Sequence, residues 1–304
     1  MSNNILILKL GATGDVVRTT TLLWRLTGQI TWVTAAKNAV LLQSVRENLR
    51  CLSWEDRQQA LEREYDLVIN LEDTMEVGVF LQSVKCKSVY GAYVNAGGQL
   101  TYTEDSRAWF DLSLISTFGK QKADRQKYLN QRTYQELVFS GLGYDFRGEQ
   151  YILPEPARTD LHGDVAIAPE AGPVWPMKNW AYYAELKREL EARGLSVNVL
   201  PKRNSLLEHL GDVRNHRCLV SGDSLPMHFA LGMGTRCVSL FTCTSPHEIY
   251  DYGLQTKIVS PYLEEFFFQR GFNPRAVSAI SVDEVLPAVL RQLDRKVPAA
   301  VAAS

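Results

Sequence analysis

The chain opens on a pattern that restricts what it can fold into: a short apolar run, a glycine turn and a helix. Residues 5–8 are all apolar, Gly11 follows them, and residues 16–26 carry apolar side chains at helical spacing. A short run that is apolar at every position is typical of a strand buried on both faces, as in a parallel sheet. The opening therefore predicts the strand, turn and helix with which α/β folds begin.

The same alternation of strands and helices continues along the chain. In the first half, it predicts strands at 30–33 and 67–71 and a helix at 40–48. In the second half, it predicts strands at 164–168, 195–200, 218–220 and 237–241 and helices at 179–193, 226–231 and 282–293. Residues 97–130 have no clear period and are expected to form a long surface excursion. The alternation predicts an α/β protein with parallel sheets.

Length and proline placement divide the chain into two domains. A chain of 304 residues fits two domains better than one, and Pro154 and Pro156 disfavour helix where the pattern pauses. We expect one domain over 1–155 and a second over 156–295, with the last helix able to pack back on the first domain. Residues 296–304 are expected to be a flexible tail.

Composition excludes several classes of protein. Lys and Arg number 33 against 34 Asp and Glu, a net charge of −1 that gives no field for binding nucleic acid. Five cysteines without a C-x-x-C pair argue against a disulfide framework and a thiolate zinc site. The polar start lacks the features of a signal peptide, and no stretch is long enough to span a bilayer. We expect a cytoplasmic protein, with room for peripheral contact at the inner membrane face.

The first candidate site is the glycine turn that precedes the first helix. It contains Thr13, Gly14 and Asp15, with Arg18 one helical turn further on. Asp15 lies where unpaired backbone N–H groups and the helix dipole favour a carboxylate, and Arg18 is placed to pair with it. N-capping is the structural alternative for Asp15, because aspartate is a good cap.

Two further candidates lie in the second half. The stretch 221–230, SGDSLPMHFA, joins a strand end to a helix with proline in its first turn, so that Asp223, Ser224, Leu225 and His228 surround a helix start that can bind an anion. Lys178 stands before a helix expected to be capped by Asn179, and a cation there suggests a bound phosphate.

A dinucleotide-binding enzyme is an alternative interpretation. GATG opens many such folds, and Tyr183 and Lys187 have the Tyr-x-x-x-Lys spacing of short-chain reductases. The third glycine of the fingerprint is replaced by Val17, and no acidic residue ends the second strand. Tyr183 also lies on the apolar face of its helix, which favours a role in the core.

Taken together, the motifs resemble glycosyltransferase family 9, the heptosyltransferase-like enzymes with the GT-B fold. The resemblance rests on four segments in order: ILILKLGATGDVVRTT, DLVINLED, the W-P-x-x-x-W that begins at Trp175, and SGDSLPMHFALGMGT followed by a strand and Thr-Ser-Pro. It implies two Rossmann-like domains whose parallel sheets face a central cleft. The first domain would bind the acceptor and the second the nucleotide sugar.

The resemblance also implies a reaction. The family transfers a sugar, typically heptose from an ADP-linked donor, to an acceptor hydroxyl, with inversion and without a metal or other cofactor. Asp15 would be the general base, with Thr13, Gly14 and Arg18 around it. Asp223, Ser224, Leu225 and His228 match the donor-binding motif, and we add Lys178 as a supporting cation. The acceptor would be a glycan, a lipid-linked glycan or a small molecule.

This sequence departs from the family pattern at three positions. Pro173 stands where the family carries a phosphate-binding lysine, Glu170 replaces a glycine, and Leu225 replaces another. These changes leave open a nucleotide-sugar-binding homologue with weak or absent activity. An NAD(P)-dependent epimerase or reductase remains as a third alternative.

Overall fold

The computed structural model describes residues 3–295, which form two compact units. Of the described residues, the first contains residues 3–156 together with two later segments, Ser205–Leu207 and Ser245–Tyr252. The second contains Ala157–Asn204, Glu208–Thr244 and residues 253–295. The chain therefore leaves the second unit after Thr244, contributes eight residues to the first, and returns.

The first unit is an α/β sheet with six strands in the order β3-β2-β1-β4-β5-β6. The strands are β1 Asn4–Leu8, β2 Gln29–Thr34, β3 Leu49–Ser53, β4 Glu64–Asn70, β5 Lys85–Val94 and β6 Leu100–Tyr102. The helices are α1 Thr13–Thr19, α2 Met75–Gln82, α3 Arg107–Phe110, α4 Lys120–Leu129 and α5 Tyr134–Gly141. All neighbouring strands are parallel except β5 and β6, so the excursion predicted over 97–130 contains an antiparallel edge strand and two helices.

β1 is the central strand of this sheet, and its sequence explains why. Residues Ile5, Leu6, Ile7 and Leu8 are at most 5% exposed, and they divide between two apolar cores on the two faces of the sheet. Because β1 pairs with β2 on one side and β4 on the other, the turn that follows it opens at the carboxyl edge of the sheet. Ligands of open α/β sheets bind at this edge.

The second unit is a parallel sheet of five strands in the order β11-β10-β9-β7-β8. Its strands are β7 Gly163–Ala168, β8 Val197–Val199, β9 His216–Gly222, β10 Arg236–Phe241 and β11 Gln255–Val259. Its helices are α6 Tyr183–Glu191, α7 Leu206–Arg214, α8 Leu225–Met233, α9 Leu263–Phe266, α10 Pro274–Val277 and α11 Val282–Asp294. The strands predicted at 164–168, 218–220 and 237–241 are therefore confirmed.

The last helix, α11, packs within the second unit. It begins with a capping box formed by Ser281 and Glu284, and its buried face, which includes Val285 and Val289, joins the core over β9, β10 and β11. The tail predicted over 296–304 lies outside the described residues.

Three predicted helices differ from those observed. Residues 16–26 form α1 and then a 3-10 turn over Thr20–Trp24. The hydroxyls of Thr19, Thr20 and Thr21 donate hydrogen bonds to carbonyls three or four residues earlier, and such a β-branched run favours the tighter turn.

The helix predicted over 40–48 is wrong. The chain forms a 3-10 turn over Ala36–Leu41, and Ser44 has a φ of 60°, which a continuing α-helix does not allow. The helix predicted over 179–193 begins only at Tyr183. Asn179 does not cap it, because its side chain accepts a hydrogen bond from the Ala171 backbone N–H instead.

Candidate active site

The turn after β1 is held in place by buried polar side chains of the first unit. The Thr13 hydroxyl donates to the Asn38 side-chain oxygen at 2.7 Å, and the Asn38 amide donates to the Leu10 carbonyl at 2.7 Å. Asn38 is fully buried. These hydrogen bonds connect the turn, and Thr13 at the start of α1, to the 3-10 turn after β2.

Asp15 lies in the first turn of α1 between two cations. The Arg18 guanidinium is 2.9 Å from one carboxylate oxygen and the Lys9 ammonium 3.9 Å from the other. The N-cap position of α1 is Ala12, so Asp15 is not the cap that sequence reasoning considered as its structural role. About a third of the Asp15 side chain, 34%, is exposed, whereas Lys9 and Arg18 are buried.

Lys9 is balanced by Glu72, which lies two residues after the end of β4. The Lys9 ammonium lies 2.8 Å from a Glu72 carboxylate oxygen, and the same oxygen accepts the backbone N–H of Leu10 at 2.9 Å. Burial acts to lower the pKa of Lys9, but Glu72 and Asp15 outweigh it and raise that pKa. Lys9 therefore stays a cation beneath the turn.

Arg18 is enclosed by aromatic rings and a second carboxylate. Its guanidinium lies 4.0 Å from the Tyr134 ring centroid and 5.4 Å from that of Trp109. Glu248, from the segment Ser245–Tyr252, lies 3.6 Å from the other end of the guanidinium. Burial acts to lower the pKa of Arg18, but Asp15 and Glu248 raise it. Arg18 thus remains charged, with a carboxylate at each end of its guanidinium.

In the second unit, Lys178 and Asp223 form a largely buried ion pair at the carboxyl ends of the strands. The Lys178 ammonium donates to the Asp223 carboxylate at 2.8 Å and to its backbone carbonyl at 2.7 Å. Thr244, after β10, donates its hydroxyl to the same carboxylate oxygen at 2.7 Å. Burial would raise the pKa of Asp223, but Lys178, His228 and these hydrogen bonds lower it to about 2.

The other residues of the predicted donor motif lie at the start of α8. Ser224 is the N-cap, with an extended backbone and no side-chain cap, and Leu225 is the first helical residue. His228 is buried in the first turn, close enough to Asp223 to affect its pKa. The fold thus brings Asp223, Ser224, Leu225 and His228 together with Lys178, which comes from a 3-10 turn over Pro176–Lys178.

Glu170, which departs from the family pattern, is paired at the end of β7. Its carboxylate lies 2.9 Å from the ammonium of Lys202, which follows β8, and both side chains are exposed. A solvated carboxylate with a cationic partner repels a nearby anion much less than an isolated one.

Gly222 determines how closely Lys178 approaches the end of β9. A Cβ atom at Gly222 would lie 2.7 Å from the Lys178 carbonyl oxygen, which is a backbone atom that cannot swing aside. We expect Gly222→Ala to lower stability by about 1–3 kcal/mol and to weaken ligand binding at this turn. Thermal unfolding with and without nucleotide measures both effects. Gly172→Ala is the matched control, because a Cβ there has nothing within 4 Å; equal melting temperatures for the two variants would contradict the prediction.

The residues of the alternative reductase motif do not line a site. Tyr183 is 7% exposed and packs in the apolar core with Trp180 and Leu186, as predicted from its helix face. Lys187 pairs with Glu191 on the surface.

In residues 3–295 there is no group of three or more His, Cys, Asp or Glu side chains arranged to hold a metal ion. No helix in that range has the length and apolar character to cross a bilayer.

Sequence reasoning missed three charged residues of the first unit: Glu72, Lys127 and Glu248. Glu72 belongs to the DLVINLED segment, and its position two residues after a strand beside β1 was a usable signal. Glu248 reaches Arg18, and Lys127 reaches Glu248, only through tertiary structure, and no local pattern marks either residue.

Comparison with known proteins supports the resemblance seen in the motifs. Residues 174–266 match the model of glycosyltransferase family 9 (heptosyltransferase). No curated protein gives a significant sequence match. Solved structures match over nearly the whole chain. The E. coli heptosyltransferase WaaC with ADP-2-deoxy-2-fluoro heptose is 17% identical, with a TM-score of 0.63 over 95% of this chain and 99% of that one.

Two further structures have the same fold. E. coli ADP-heptose lps heptosyltransferase II is 15% identical, with a TM-score of 0.62 over 95% of this chain and 98% of that one. The glycosyl transferase family 9 protein from Veillonella parvula DSM 2008 is 14% identical, with a TM-score of 0.63 over 96% and 97%. The predicted two-domain α/β GT-B fold is thus confirmed, and the similarity to the glycosyltransferase family 9 model extends over residues 174–266.

Proposed function

We propose that this heptosyltransferase-like protein with the GT-B fold transfers a sugar from a nucleoside-diphosphate donor to an acceptor hydroxyl, with inversion and without a metal. The observation that carries the proposal is the match of residues 174–266 to family 9, because that segment contains Lys178, Asp223 and the start of α8. The E. coli relative WaaC has been solved with ADP. We therefore propose an ADP-linked, heptose-like donor.

In this proposal, Asp15 is the general base. Its carboxylate is partly exposed while the cations that orient it are buried, so an acceptor hydroxyl can reach the carboxylate and not the cations. Asp15 would take the hydroxyl proton as the oxygen attacks the anomeric carbon. A single displacement with inversion requires the base and the leaving diphosphate on opposite faces of the sugar. Thr13, Gly14 and Arg18 would shape the acceptor side.

The start of α8 would bind the departing diphosphate. The first backbone N–H groups of a helix have no hydrogen-bond partner within the helix, and they lie at the positive end of its dipole. Lys178 has three donors, of which two bind Asp223; we propose that the third binds a phosphate oxygen. His228 lies in the same first turn. Fixed donors and cations of this kind stabilise the charge that develops on a leaving group.

A thermal-shift screen of ADP, UDP, GDP and dTDP tests this proposal. A ligand that binds only the folded state raises its stability by RT ln(1 + [L]/Kd), which is about 2.7 kcal/mol at a hundredfold excess over Kd. We expect ADP to give the largest shift, followed by transfer from an ADP-linked sugar when acceptors are added. The absence of a shift with any of the four would contradict a nucleotide-sugar site.

His228→Ala tests the donor side separately. We expect calorimetry to show ADP binding weakened about tenfold, because a charged or polar contact to phosphate contributes roughly 1.5 kcal/mol. His162→Ala is the matched control, because it removes an exposed imidazole of the same unit. The hydrogen bond described for His162 is accepted by its backbone carbonyl, which the substitution keeps. Unchanged ADP affinity in the His228 variant would remove this residue from the donor site.

A binding protein without activity is the second candidate. Pro173 and Leu225 favour it, because a lysine and a glycine of the family pattern are both replaced near the proposed diphosphate. This candidate predicts an ADP-induced thermal shift together with no transfer to any acceptor. Transfer that depends on Asp15 would exclude it.

A further inference from the structure

Six charged side chains of alternating sign form a continuous series through the first unit. In order, they are Glu72, Lys9, Asp15, Arg18, Glu248 and Lys127. The distances between successive charged atoms are 2.8, 3.9, 2.9, 3.6 and 3.4 Å. Each carboxylate inside the series lies between two cations, and each inner cation lies between two carboxylates.

Exposure differs sharply along this series. Five of the six side chains are between 8% and 12% exposed, and Asp15 alone reaches 34%. A buried ion that loses its partner is strongly destabilised, so the buried members are held to one another. Asp15 is the one member of the series that a dissolved molecule can readily touch.

Glu248 connects two cations of this series. It lies between the Arg18 guanidinium and the Lys127 ammonium, and its backbone carbonyl accepts the N–H of Tyr134 at 3.0 Å. Tyr134 in turn stacks on the Arg18 guanidinium and shares a hydrogen bond of 2.6 Å with Thr19 of α1. Both the backbone and the carboxylate of Glu248 therefore restrain the surroundings of Arg18.

An arginine held on one side only can rotate about its long side chain. Asp15 lies 2.9 Å from one end of the Arg18 guanidinium and Glu248 lies 3.6 Å from the other, so a charged partner restrains each end. The aromatic rings of Tyr134 and Trp109 limit movement out of the guanidinium plane. Glu248 is thus the second charged partner of the guanidinium that faces Asp15.

We propose that Glu248 is a positioning residue that acts through Arg18 to hold the Asp15 carboxylate ready for the acceptor hydroxyl, with Lys127 balancing the Glu248 charge. This inference rests on the proposed function of Asp15. Glu248 itself touches neither the acceptor nor the donor in this arrangement. Its removal should therefore change the rate of the chemical step more than the binding of the nucleotide sugar.

Glu248→Gln is the decisive variant, because it keeps the size of the side chain and removes its charge. We expect kcat to fall about tenfold or more, in line with the cost of small displacements of catalytic groups, while the donor KM stays within about twofold. Glu248→Asp keeps the charge and should restore part of the lost rate. A variant that transfers as fast as the wild type would overturn the inference.

The guanidinium NMR spectrum provides a readout that does not need activity. A guanidinium fixed at both ends gives separate, slowly exchanging Nη signals, and we expect those of Arg18 to merge in Glu248→Gln. Glu149→Gln is the matched control, because Glu149 is equally buried at 9% and pairs with Arg25 of the same unit; it should alter the Arg25 signals and leave those of Arg18 and the transfer rate unchanged. Unaltered Arg18 signals in Glu248→Gln would refute the positioning role, whether or not the protein transfers sugar. If the signals merge but the wild-type protein transfers no sugar, the positioning of Arg18 is supported and the proposed function is refuted.

Discussion

Asp15→Asn is expected to abolish sugar transfer and leave the fold intact. Asparagine has no basic oxygen to take the acceptor proton, and loss of a general base typically costs about 10²–10⁴-fold in rate. The melting temperature should change by no more than about 2 °C, because the side chain is partly exposed, does not cap α1, and can still accept a hydrogen bond from Arg18. Arg18 also keeps Glu248 as its counterion.

Asp66→Asn is a closely matched control for this variant. Asp66 lies in β4 of the same unit, its side chain is 33% exposed, and it pairs with Lys87 at 2.6 Å. The same substitution therefore removes a similar ion pair, but near the amino-terminal end of β4, away from the turn that contains Asp15. Its transfer rate should equal that of the wild type. If Asp15→Asn transferred sugar as fast as Asp66→Asn, Asp15 would have a structural role only.

Lys178→Met is expected to be the most destabilising of the variants considered. It leaves the Asp223 carboxylate largely buried with Thr244 and His228 but without its ammonium partner, and breaking such a pair costs roughly 3–5 kcal/mol. Chemical denaturation measures this loss. Lys187→Met is the matched control, because Lys187 pairs with Glu191 on the exposed face of α6, and it should cost at most about 0.5 kcal/mol. Equal stability of the two variants would contradict the role assigned to the buried pair.

The same pair gives the stability of the protein a defined pH dependence. The pKa of Asp223 is about 2 in the folded state and near 3.8 in an unfolded chain, so the folded state favours the ionised form. The resulting stabilisation, on the order of 2 kcal/mol, is complete above about pH 4 and is lost as the pH falls from about 4 to about 2. Unfolding measured across this range should show a smaller loss in Lys178→Met, because its Asp223 has no ammonium to lower its pKa.

The elements of the sheets could be predicted because their signals are local. The run at 5–8 is apolar at every position, the segments 67–71 and 237–241 are apolar except at Asn70 and Ser239, and all three contribute to sheet strands. The helix expected at 40–48 does not form, and the chain makes a 3-10 turn over Ala36–Leu41 instead. Apolar spacing does not reveal the hydrogen bonds that Asn38 makes from this turn. Asn179 failed as a cap for a similar reason, since its side chain binds the Ala171 backbone across the loop.

The residues around Asp15 could be predicted only in part. Arg18 is three positions from Asp15, so helical geometry alone indicates the pair. Glu72 is 63 positions from Lys9 in the sequence, and the separation between Arg18 and Glu248 is larger still. Charged residues that are distant in the sequence and meet only in the folded protein leave no periodic pattern in one sequence. The buried counterions Glu72 and Glu248 are therefore identified from the structure.

The route of the chain between β10 and β11 has a consequence for mutation. Thr244 donates to Asp223 in the second unit, and Glu248, four residues later, faces Arg18 in the first. Between them, Ser245 and Pro246 are buried, and the Ser245 hydroxyl accepts the His247 backbone N–H at 3.3 Å. Substitution of the exposed His247 should therefore be tolerated better than substitution of the buried Ser245 or Pro246.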